Sequence, residues 1–529
     1  MEIWILLFWL YRSALHCLRE AKPASEEELR LFHNPSEPHR RNQGAIMSEI
    51  SEKNPMMDAL LELRCHFTWN LMRMDIDLPD LENRILDEIE FLDTKFNVGI
   101  RNILAYVKHV RGQNEKALES LREAEKFIQQ LNDDQAEIKV LVTWGNYAWI
   151  YYHMDRLPEA QTYLEKVEAS CKKFSSPFRY KVEHPEIDCE KGWALLKFVK
   201  EYYEEAKDCF QKALESEPEN PEFNTGFAIA MFRLDRFVRD QPSISLEPLK
   251  RAITFNPEDA YLKVLLALKL QAFGQEEEGE KYITEALKNM SSQPYVFRYA
   301  AKFYCKKGCI DKALDFLNIA LQATPTSAVV YHQIGYCYKT KVLQIKKATN
   351  YRPQGKDRYD LEEAVRSAIS HFKTSVEYRP TFEASHIELG NMYAEAGDFR
   401  KAEESFQKVL SMNQLPDNIK QEVYYNYGRY QEIHRKSEAD ALACYLEGLK
   451  VNPEKKYLLN ALEKLATRRL RRNASDVESL SLIGFIHKMK GEPGEAIQCY
   501  EKALESGSSL LLSRTSLFPP DAAQGLASS

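Results

Sequence analysis

One arrangement of apolar and polar positions recurs along the chain: a small residue, a large apolar residue four positions later, and another small residue three positions further on. At helical spacing these three positions share one face, and the charged residues between them fall on the other faces. The pattern therefore predicts helices whose small residues let a neighbouring helix approach closely. Its clearest copies are Ala117/Leu121/Ala124, Ala206/Phe210/Ala213, Gly279/Ile283/Ala286, Ala313/Leu317/Ala320 and Ala496/Tyr500/Ala503.

Glycine and proline stand at fixed distances from these copies. The glycines come five residues before the first small residue, where a turn between helices needs a permissive backbone, at Gly112, Gly274, Gly308, Gly397 and Gly491. The prolines come twelve residues after it, where a helix must end, at Pro218, Pro257, Pro325, Pro380 and Pro453. Several copies lie 34 residues apart, which is the tetratricopeptide period. The sequence predicts an all-α helical solenoid of about ten tetratricopeptide helix pairs plus extra helices, wound into a superhelix.

Irregular spacing between the copies predicts extra helices or loops and a chain divided into subdomains. One long interval, residues 339–358, carries seven basic residues and a single Asp, and it suits either a binding surface or a solvated loop. We predict an N-terminal extension at 1–46, disordered or upstream of an alternative start at Met47, and a disordered tail at 507–529. Between them we predict an N-terminal, a central and a C-terminal repeat subdomain, at 47–185, 186–380 and 381–506.

Charge and hydropathy narrow the functional classes. The chain has 72 Lys and Arg against 79 Asp and Glu, a net charge of 72 − 79 = −7, which excludes coating of nucleic acid through overall basicity but not a local basic site. The apolar residues 3–10 are far short of the ~20 needed to span a bilayer. Glu2 also stands where a signal peptide would carry basic residues. We therefore expect a cytoplasmic protein that does not associate with membranes.

No catalytic motif stands out. The chain lacks a nucleotide-fold glycine fingerprint, a phosphate-binding loop, a nucleophile elbow and a paired-His motif. Cys305 and Cys309 form the closest cysteine pair, without the second ligand pair that a zinc site requires. We predict no catalytic residues, no metal and no cofactor. Because solenoids present concave surfaces, binding is the expected activity.

Helix-face spacing suggests where binding occurs. A basic residue lies four positions from another candidate residue in four segments: Arg84 with Glu88 and then Leu92, Trp193 with Lys197, Ile229 with Arg233, and Arg298 with Lys302. An aromatic face can stack on a base while cations neutralise phosphates. A Trp in a repeat helix is, however, usually part of the core, and a nearby Lys or Arg often forms an ion pair. The spacing leaves an RNA-binding protein and a protein-only scaffold both open.

Several long segments resemble the interferon-induced proteins with tetratricopeptide repeats, most of all the branch of member 1 and its 1B-like paralogue. They include LELRCHFTWNL at 61–71, DLENRILDEIEFLDTKF at 80–96, PEIDCEKGWALLK at 185–197 and ESLSLIGFIHKMKG at 478–491. The resemblance runs from about residue 47 to residue 506. It implies a cytosolic antiviral effector that binds single-stranded RNA by a 5′-triphosphate, or by a cap lacking ribose 2′-O-methylation, in a central tunnel. Translation of viral RNA is blocked without catalysis.

The resemblance also implies roles for individual residues. Trp193 would stack on the cap guanine, in a pocket with Leu92, Thr94, Leu196, Glu222 and Ile229. Arg84, Lys197 and Arg233 would bind the 5′ phosphates, and Tyr203, Tyr261, Arg298, His332 and Gln333 would follow the strand. Tyr500 and Leu504 match an oligomerisation motif. The implied partners are such RNA, other members of the family in homo- or hetero-oligomers, and translation initiation factors.

Three positions depart from the family pattern. Glu88 stands where the cap-binding member has Gln, so a carboxylate faces the expected pocket and would either weaken phosphate binding or favour the guanine edge. Asp259 replaces an Asn at the cap pocket, and Cys305 replaces an Arg near the strand exit. Each change makes the expected site less basic or alters its hydrogen bonding.

Overall fold

A computed structural model describes residues 55–72, 78–91, 97–131, 133–235, 243–288, 294–412, 415–453 and 455–515. Within these ranges the chain forms 23 α-helices and no β-strand. Two compact units divide at residues 382 and 383. The predicted all-α tetratricopeptide fold is confirmed. The subdomain boundary at 185/186 stays a prediction, as do the structural states of 1–46 and 516–529, which lie outside the described residues.

The first unit contains sixteen of these α-helices. They are α1 Pro55–Glu62, α2 Leu78–Phe91, α3 Asn97–Val110, α4 Asn114–Ile128, α5 Asp133–His153, α6 Leu157–Lys173, α7 Pro185–Lys197, α8 Tyr203–Ser216, α9 Pro221–Leu234, α10 Leu246–Phe255, α11 Ala260–Ala272, α12 Glu276–Lys288, α13 Pro294–Lys307, α14 Ile310–Ala323, α15 Ala328–Ala348 and α16 Gly355–Tyr378.

The second unit contains the other seven. They are α17 Glu383–Glu395, α18 Phe399–Leu410, α19 Asp417–Tyr430, α20 Glu438–Val451, α21 Lys456–Arg472, α22 Val477–Met489 and α23 Pro493–Thr515. The last helix runs past residue 507, where the predicted tail begins, as far as Thr515.

The turn signals in the sequence have the conformations that were predicted. All five marker glycines have φ between +75° and +90°, a region that side chains with a Cβ rarely adopt. Each marker proline stands two residues beyond the end of a helix, as Pro218 does after Ser216 and Pro325 after Ala323. The predicted helix boundaries at these positions are confirmed.

The large residue of the repeated pattern fills a groove that glycines leave open. Phe210 on α8 is fully buried, and an added Cβ at Gly192 or Gly226 would lie within 2.8 or 2.2 Å of its ring. Phe372 against Gly335 and Tyr500 against Gly484 repeat this arrangement. Close helix packing therefore depends on a glycine in one helix and a ring in its neighbour.

Helix length, metal-ligating groups and cysteines complete the description of the fold. Among the residues that the structure describes, no helix is long and apolar enough to cross a bilayer, and no group of three His, Cys, Asp or Glu side chains is placed to hold a metal ion. The described cysteines are free thiols, and seven of the nine are buried.

Candidate nucleic-acid interface

The candidate residues lie in the first unit, on helices with well-defined starts. Asn220, at the start of α9, accepts hydrogen bonds from the backbone of Glu222 and Phe223, and Pro221 follows it. The other candidates lie on neighbouring helices: Arg84 and Glu88 on α2, Trp193, Leu196 and Lys197 on α7, Tyr203 on α8, Ile229 and Arg233 on α9, Tyr261 on α11, Arg298 on α13, and His332 and Gln333 on α15. Leu92 and Thr94 lie outside the described residues.

Three cations converge on the C-terminal end of α7. The Arg84 guanidinium donates to the backbone carbonyl of Lys197 at 3.2 Å, and the Arg233 guanidinium donates to the carbonyl of Leu196. These carbonyls are among the groups that a helix end leaves without intrahelical partners, and the negative end of the helix dipole favours cations there. The helix end therefore holds Arg84, Lys197 and Arg233 together.

Glu88 lies within this cationic group. Its carboxylate accepts from the Lys197 ammonium at 2.5 Å, and the two side chains are each only 16% exposed. The carboxylate therefore neutralises one of the three cations, and Arg84 and Arg233 retain the net positive charge.

Trp193 is partly buried and borders both the core and the charged groups. Its ring meets the edge of Phe210 with centroids 5.2 Å apart. The carboxyl group of Glu222 on α9 accepts from the Cys189 thiol at 3.7 Å, and burial raises its pKa to about 7 against the lowering effect of nearby Lys139. Trp193 is thus anchored on one side by the Phe210 ring of α8. The three cations lie at the C-terminal end of α7, the helix that also carries Trp193.

A buried acidic cluster adjoins Glu222, and the sequence reasoning missed it. Burial raises the pKa of Glu190 to about 7, although its carboxylate accepts from Asn102 at 2.8 Å. Lys139 on α5 lies 3.5 Å from Glu186. Burial lowers the pKa of Lys139, but the three surrounding carboxylates outweigh it and the net direction is upward. The i, i+4, i+7 spacing of Glu186, Glu190 and Trp193 was the available signal.

Aromatic and basic groups continue from Arg233 toward α15. Arg233 lies 5.5 Å from the centre of the Tyr203 ring, and the Tyr261 and Tyr299 rings meet edge to face at 5.4 Å. Burial raises the pKa of Tyr261 well above its usual range, so the phenol stays protonated and can donate a hydrogen bond. These groups line a path along successive helices.

The path reaches α15 through Arg298. Its guanidinium lies 5.2 Å from the centre of the Tyr295 ring and donates to the Gln333 side chain at 3.3 Å. His332 packs between Phe372 and Phe382, with centroids 5.4 and 5.0 Å away. The residues predicted to follow the RNA strand therefore lie along one path over neighbouring helices, which begins beside Arg233 on α9 and ends at Gln333 on α15.

Two of the three departures have structural roles. Asp259 begins α11, because its carboxylate accepts the backbone N–H of Leu262 at 3.0 Å. Cys305 is buried and donates to Thr340 at 3.6 Å. A hydrogen bond from Cys337 lowers its pKa to about 7.

The two predicted oligomerisation residues differ in exposure. The Tyr500 ring is buried against Ala496 in the second unit, whereas Leu504 is 42% exposed. Leu504 is thus the more exposed member of the pair, and the oligomerisation role stays a prediction.

Comparison with known proteins places these features in a family. The tetratricopeptide repeat model matches residues 194–220, 384–414 and 477–506. The chain is 56% identical over 464 residues to the antiviral innate immune response effector IFIT1 of Homo sapiens, covering 87% of this chain and 97% of that protein. It is also 56% identical over 470 residues to the IFIT1 homolog B protein of Homo sapiens, covering 88% and 99%.

Solved structures agree with these relatives. A monomeric mutant of IFIT1 with Gppp-AAAA superposes with a TM-score of 0.78 at 56% identity, covering 85% of this chain and 99% of that one. Human IFIT1 dimers with m7Gppp-AAAA and with PPP-AAAA give TM-scores of 0.77 and 0.73 at 55% and 52% identity, with the same coverage. The fold and the high identity over most of the chain lead to one conclusion: this chain belongs to the interferon-induced proteins with tetratricopeptide repeats.

Proposed function

We propose that this chain is an antiviral effector that binds the 5′ end of single-stranded RNA and blocks its translation. The recognised ends are a triphosphate or a cap without ribose 2′-O-methylation. The observation that carries the proposal is the convergence of Arg84, Lys197 and Arg233 at the end of α7, in the same helix as Trp193. The IFIT1 structures with capped and triphosphate tetranucleotides support the same ligand class.

Each part of the site suits one part of such an RNA end. The Trp193 ring offers a stacking surface for a cap guanine, and Glu222 beside it can accept from, or donate to, the polar edge of the base. The three cations bind the 5′ phosphates through charge-assisted hydrogen bonds. Ile229 and Leu196, both buried, form the apolar support of the pocket, to which we also assign Leu92 and Thr94.

The rest of the path binds the following nucleotides. Tyr203, Tyr261 and His332 supply ring surfaces and hydrogen-bond donors, and Arg298 and Gln333 supply polar contacts to the backbone. No bond is made or broken in this proposal, so the protein acts by occupying the RNA end. We place it in the cytoplasm, with other family members and translation initiation factors as protein partners.

Charge reversal at Arg233 tests the proposal. In the full chain, Arg233→Glu should abolish binding of triphosphate RNA, because it replaces a cation held at the helix end with an anion facing the phosphates. The matched control is Arg122→Glu on the exposed face of α4, which makes the same charge change away from the site. Unchanged affinity in a folded Arg233→Glu variant, or equal losses in both variants, would contradict the proposal.

A protein-only scaffold is the second candidate, and the second unit supplies the observation that favours it. A cavity of about 480 Å³ there is lined by three tyrosines and by three basic residues against one carboxylate, a balance that suits a peptide with acidic side chains. The tyrosines are Tyr425, Tyr445 and Tyr457, the basic residues are Arg429, Lys464 and Arg468, and the carboxylate is that of Glu432. The two candidates differ in a simple measurement. An RNA-binding protein should be purified with absorbance at 260 nm that high salt removes, whereas a scaffold should show none.

A further inference from the structure

The long hairpin of α15 and α16 carries the basic interval at 339–358, which the proposed 5′-end site does not use. The chain is helical through Ala348 and again from Gly355, so the basic residues lie at the tip of a helical hairpin and not in a long loop. Lys347, Arg352 and Lys356 are exposed at this tip. Within the described residues none of the three has an acidic ion-pair partner, whereas Arg358 pairs with Glu362 at 3.1 Å.

Exposed aromatic rings accompany these charges. Tyr351 is 68% exposed and Tyr359 61%, the two highest values for large apolar or aromatic side chains among the described residues. Tyr351 and the preceding Asn350 both have left-handed backbone, with φ of +60° and +48°. That conformation is costly for a bulky residue, and such outliers concentrate at functional sites. The tip thus combines cations for phosphates with rings for bases.

One face of α15 connects this tip to the 5′-end site. Helical spacing places His332, Gln333, Tyr336, Leu343 and Lys347 on a continuous stripe. His332 and Gln333 are half-buried, whereas Tyr336 and Leu343 are 47% and 44% exposed and Lys347 is exposed, so the stripe opens to solvent from Tyr336 toward the tip. It starts at Gln333, which Arg298 contacts at 3.3 Å. From Gln333 to Lys347 the helix rises by about 21 Å, at 1.5 Å per residue.

We propose that RNA longer than the first few nucleotides continues along this stripe of α15 and that the hairpin tip binds its phosphates and bases. This inference rests on the proposed function, because it requires an RNA strand that leaves the 5′-end site at His332 and Gln333. The tip forms a second RNA contact, which adds affinity for long RNA without any contact to the 5′ group.

The test compares RNA lengths in two charge-matched variants of the full chain. The test variant is Lys347→Glu with Lys356→Glu, on the two sides of the turn. The control is Lys281→Glu with Lys288→Glu, two exposed positions on α12. Each is titrated with triphosphate RNA of four nucleotides and of about 16 nucleotides, a length within the span that single-strand-binding modules cover.

The test variant should bind the long RNA about tenfold more weakly than the unmodified chain at 0.15 M salt, with a shallower salt dependence, because two phosphate contacts are lost. It should bind the four-nucleotide RNA unchanged, which also shows that it is folded. The control should bind both RNAs normally. Equal binding of the long RNA by the test variant and the unmodified chain would overturn the inference, as would equal losses in test and control.

The two proposals fail in different ways. If the unmodified chain binds neither RNA, the 5′-end function is wrong and the inference falls with it. If the unmodified chain binds both RNAs and the tip variant does too, only the inference is wrong. A milder variant, Lys347→Ala with Lys356→Ala, should give a smaller loss confined to the long RNA, and a loss on both RNAs would contradict a separate tip contact.

Discussion

Replacing Glu88 with Gln should strengthen binding of triphosphate RNA. The Glu88 carboxylate lies 2.5 Å from the Lys197 ammonium, and both side chains are mostly shielded from solvent. Together with Arg84 and Arg233, the group carries a net charge of +2, and Glu88→Gln raises it to +3. The amide keeps the size of the side chain and can still accept a hydrogen bond from Lys197, so packing is preserved.

The magnitude follows from the change in charge. Each additional cation–phosphate contact on single-stranded nucleic acid raises the slope of log affinity against log salt by about 0.7. At 0.15 M salt this corresponds to about a fourfold gain, or about 0.8 kcal/mol. Glu88→Gln also removes the ion pair of Lys197, so the ammonium can bind a phosphate without first leaving an anionic partner. This difference adds to the gain in affinity.

Fluorescence anisotropy at several salt concentrations measures both quantities. Triphosphate RNA should bind the variant about fourfold more tightly and with a steeper salt dependence, and 5′-hydroxyl RNA should not respond. Glu123→Gln is the matched control, since Glu123 pairs with Arg101 on neighbouring helices outside the site. Weaker or unchanged binding of triphosphate RNA by Glu88→Gln would refute the assignment of Lys197 to the phosphates.

Three further predictions concern the pocket, the acidic cluster and the packing. Trp193→Ala should weaken the binding of capped RNA by about 1–3 kcal/mol, the contribution of one stacked base, and should affect the binding of triphosphate RNA much less. Equal losses of affinity for the two RNAs would show that Trp193 acts only in the core. Because burial raises the pKa of Glu190 from 4.5 to about 7, the folded chain binds a proton that the unfolded chain releases, and stability should fall as pH rises from 4.5 to 7. Glu190→Gln should remove up to about 3 kcal/mol of that dependence in urea unfolding, and an unchanged pH profile would contradict it. Gly226→Ala brings a Cβ within 2.2 Å of Phe210 and should cost about 1–3 kcal/mol in unfolding free energy, whereas Gly494→Ala, with open space around it, should have little effect on core packing.

Local signals were sufficient to predict the repeat architecture. Positive φ at Gly274 and the helix end before Pro257 depend on residues within a few positions, so spacing in the sequence predicted them. The family resemblance supplied the assignment of Trp193 and Arg233 to one site, and in the structure the helices that carry them, α7 and α9, are in contact.

Contacts between distant segments were not predictable in the same way. Glu88 and Lys197 are 109 positions apart, and no local pattern indicates that they pair. Lys139 and Glu222 likewise come from separate helices, so their mutual effect on pKa emerges only when the chain is folded. For residues 339–358, the sequence showed a net basic charge, but it could not distinguish a solvated loop from a binding surface. The helical hairpin determines which of its charges are exposed.

The central claim is that the 5′ group of an RNA decides binding. The most direct measurement titrates the full chain with RNAs of one sequence that differ only at the 5′ end: triphosphate, unmethylated-ribose cap, 2′-O-methylated cap and hydroxyl. Triphosphate RNA, capped RNA without 2′-O-methylation, or both should bind at least about tenfold more tightly than hydroxyl RNA, a difference of about 1.4 kcal/mol. Equal affinity for all four ends would contradict the account.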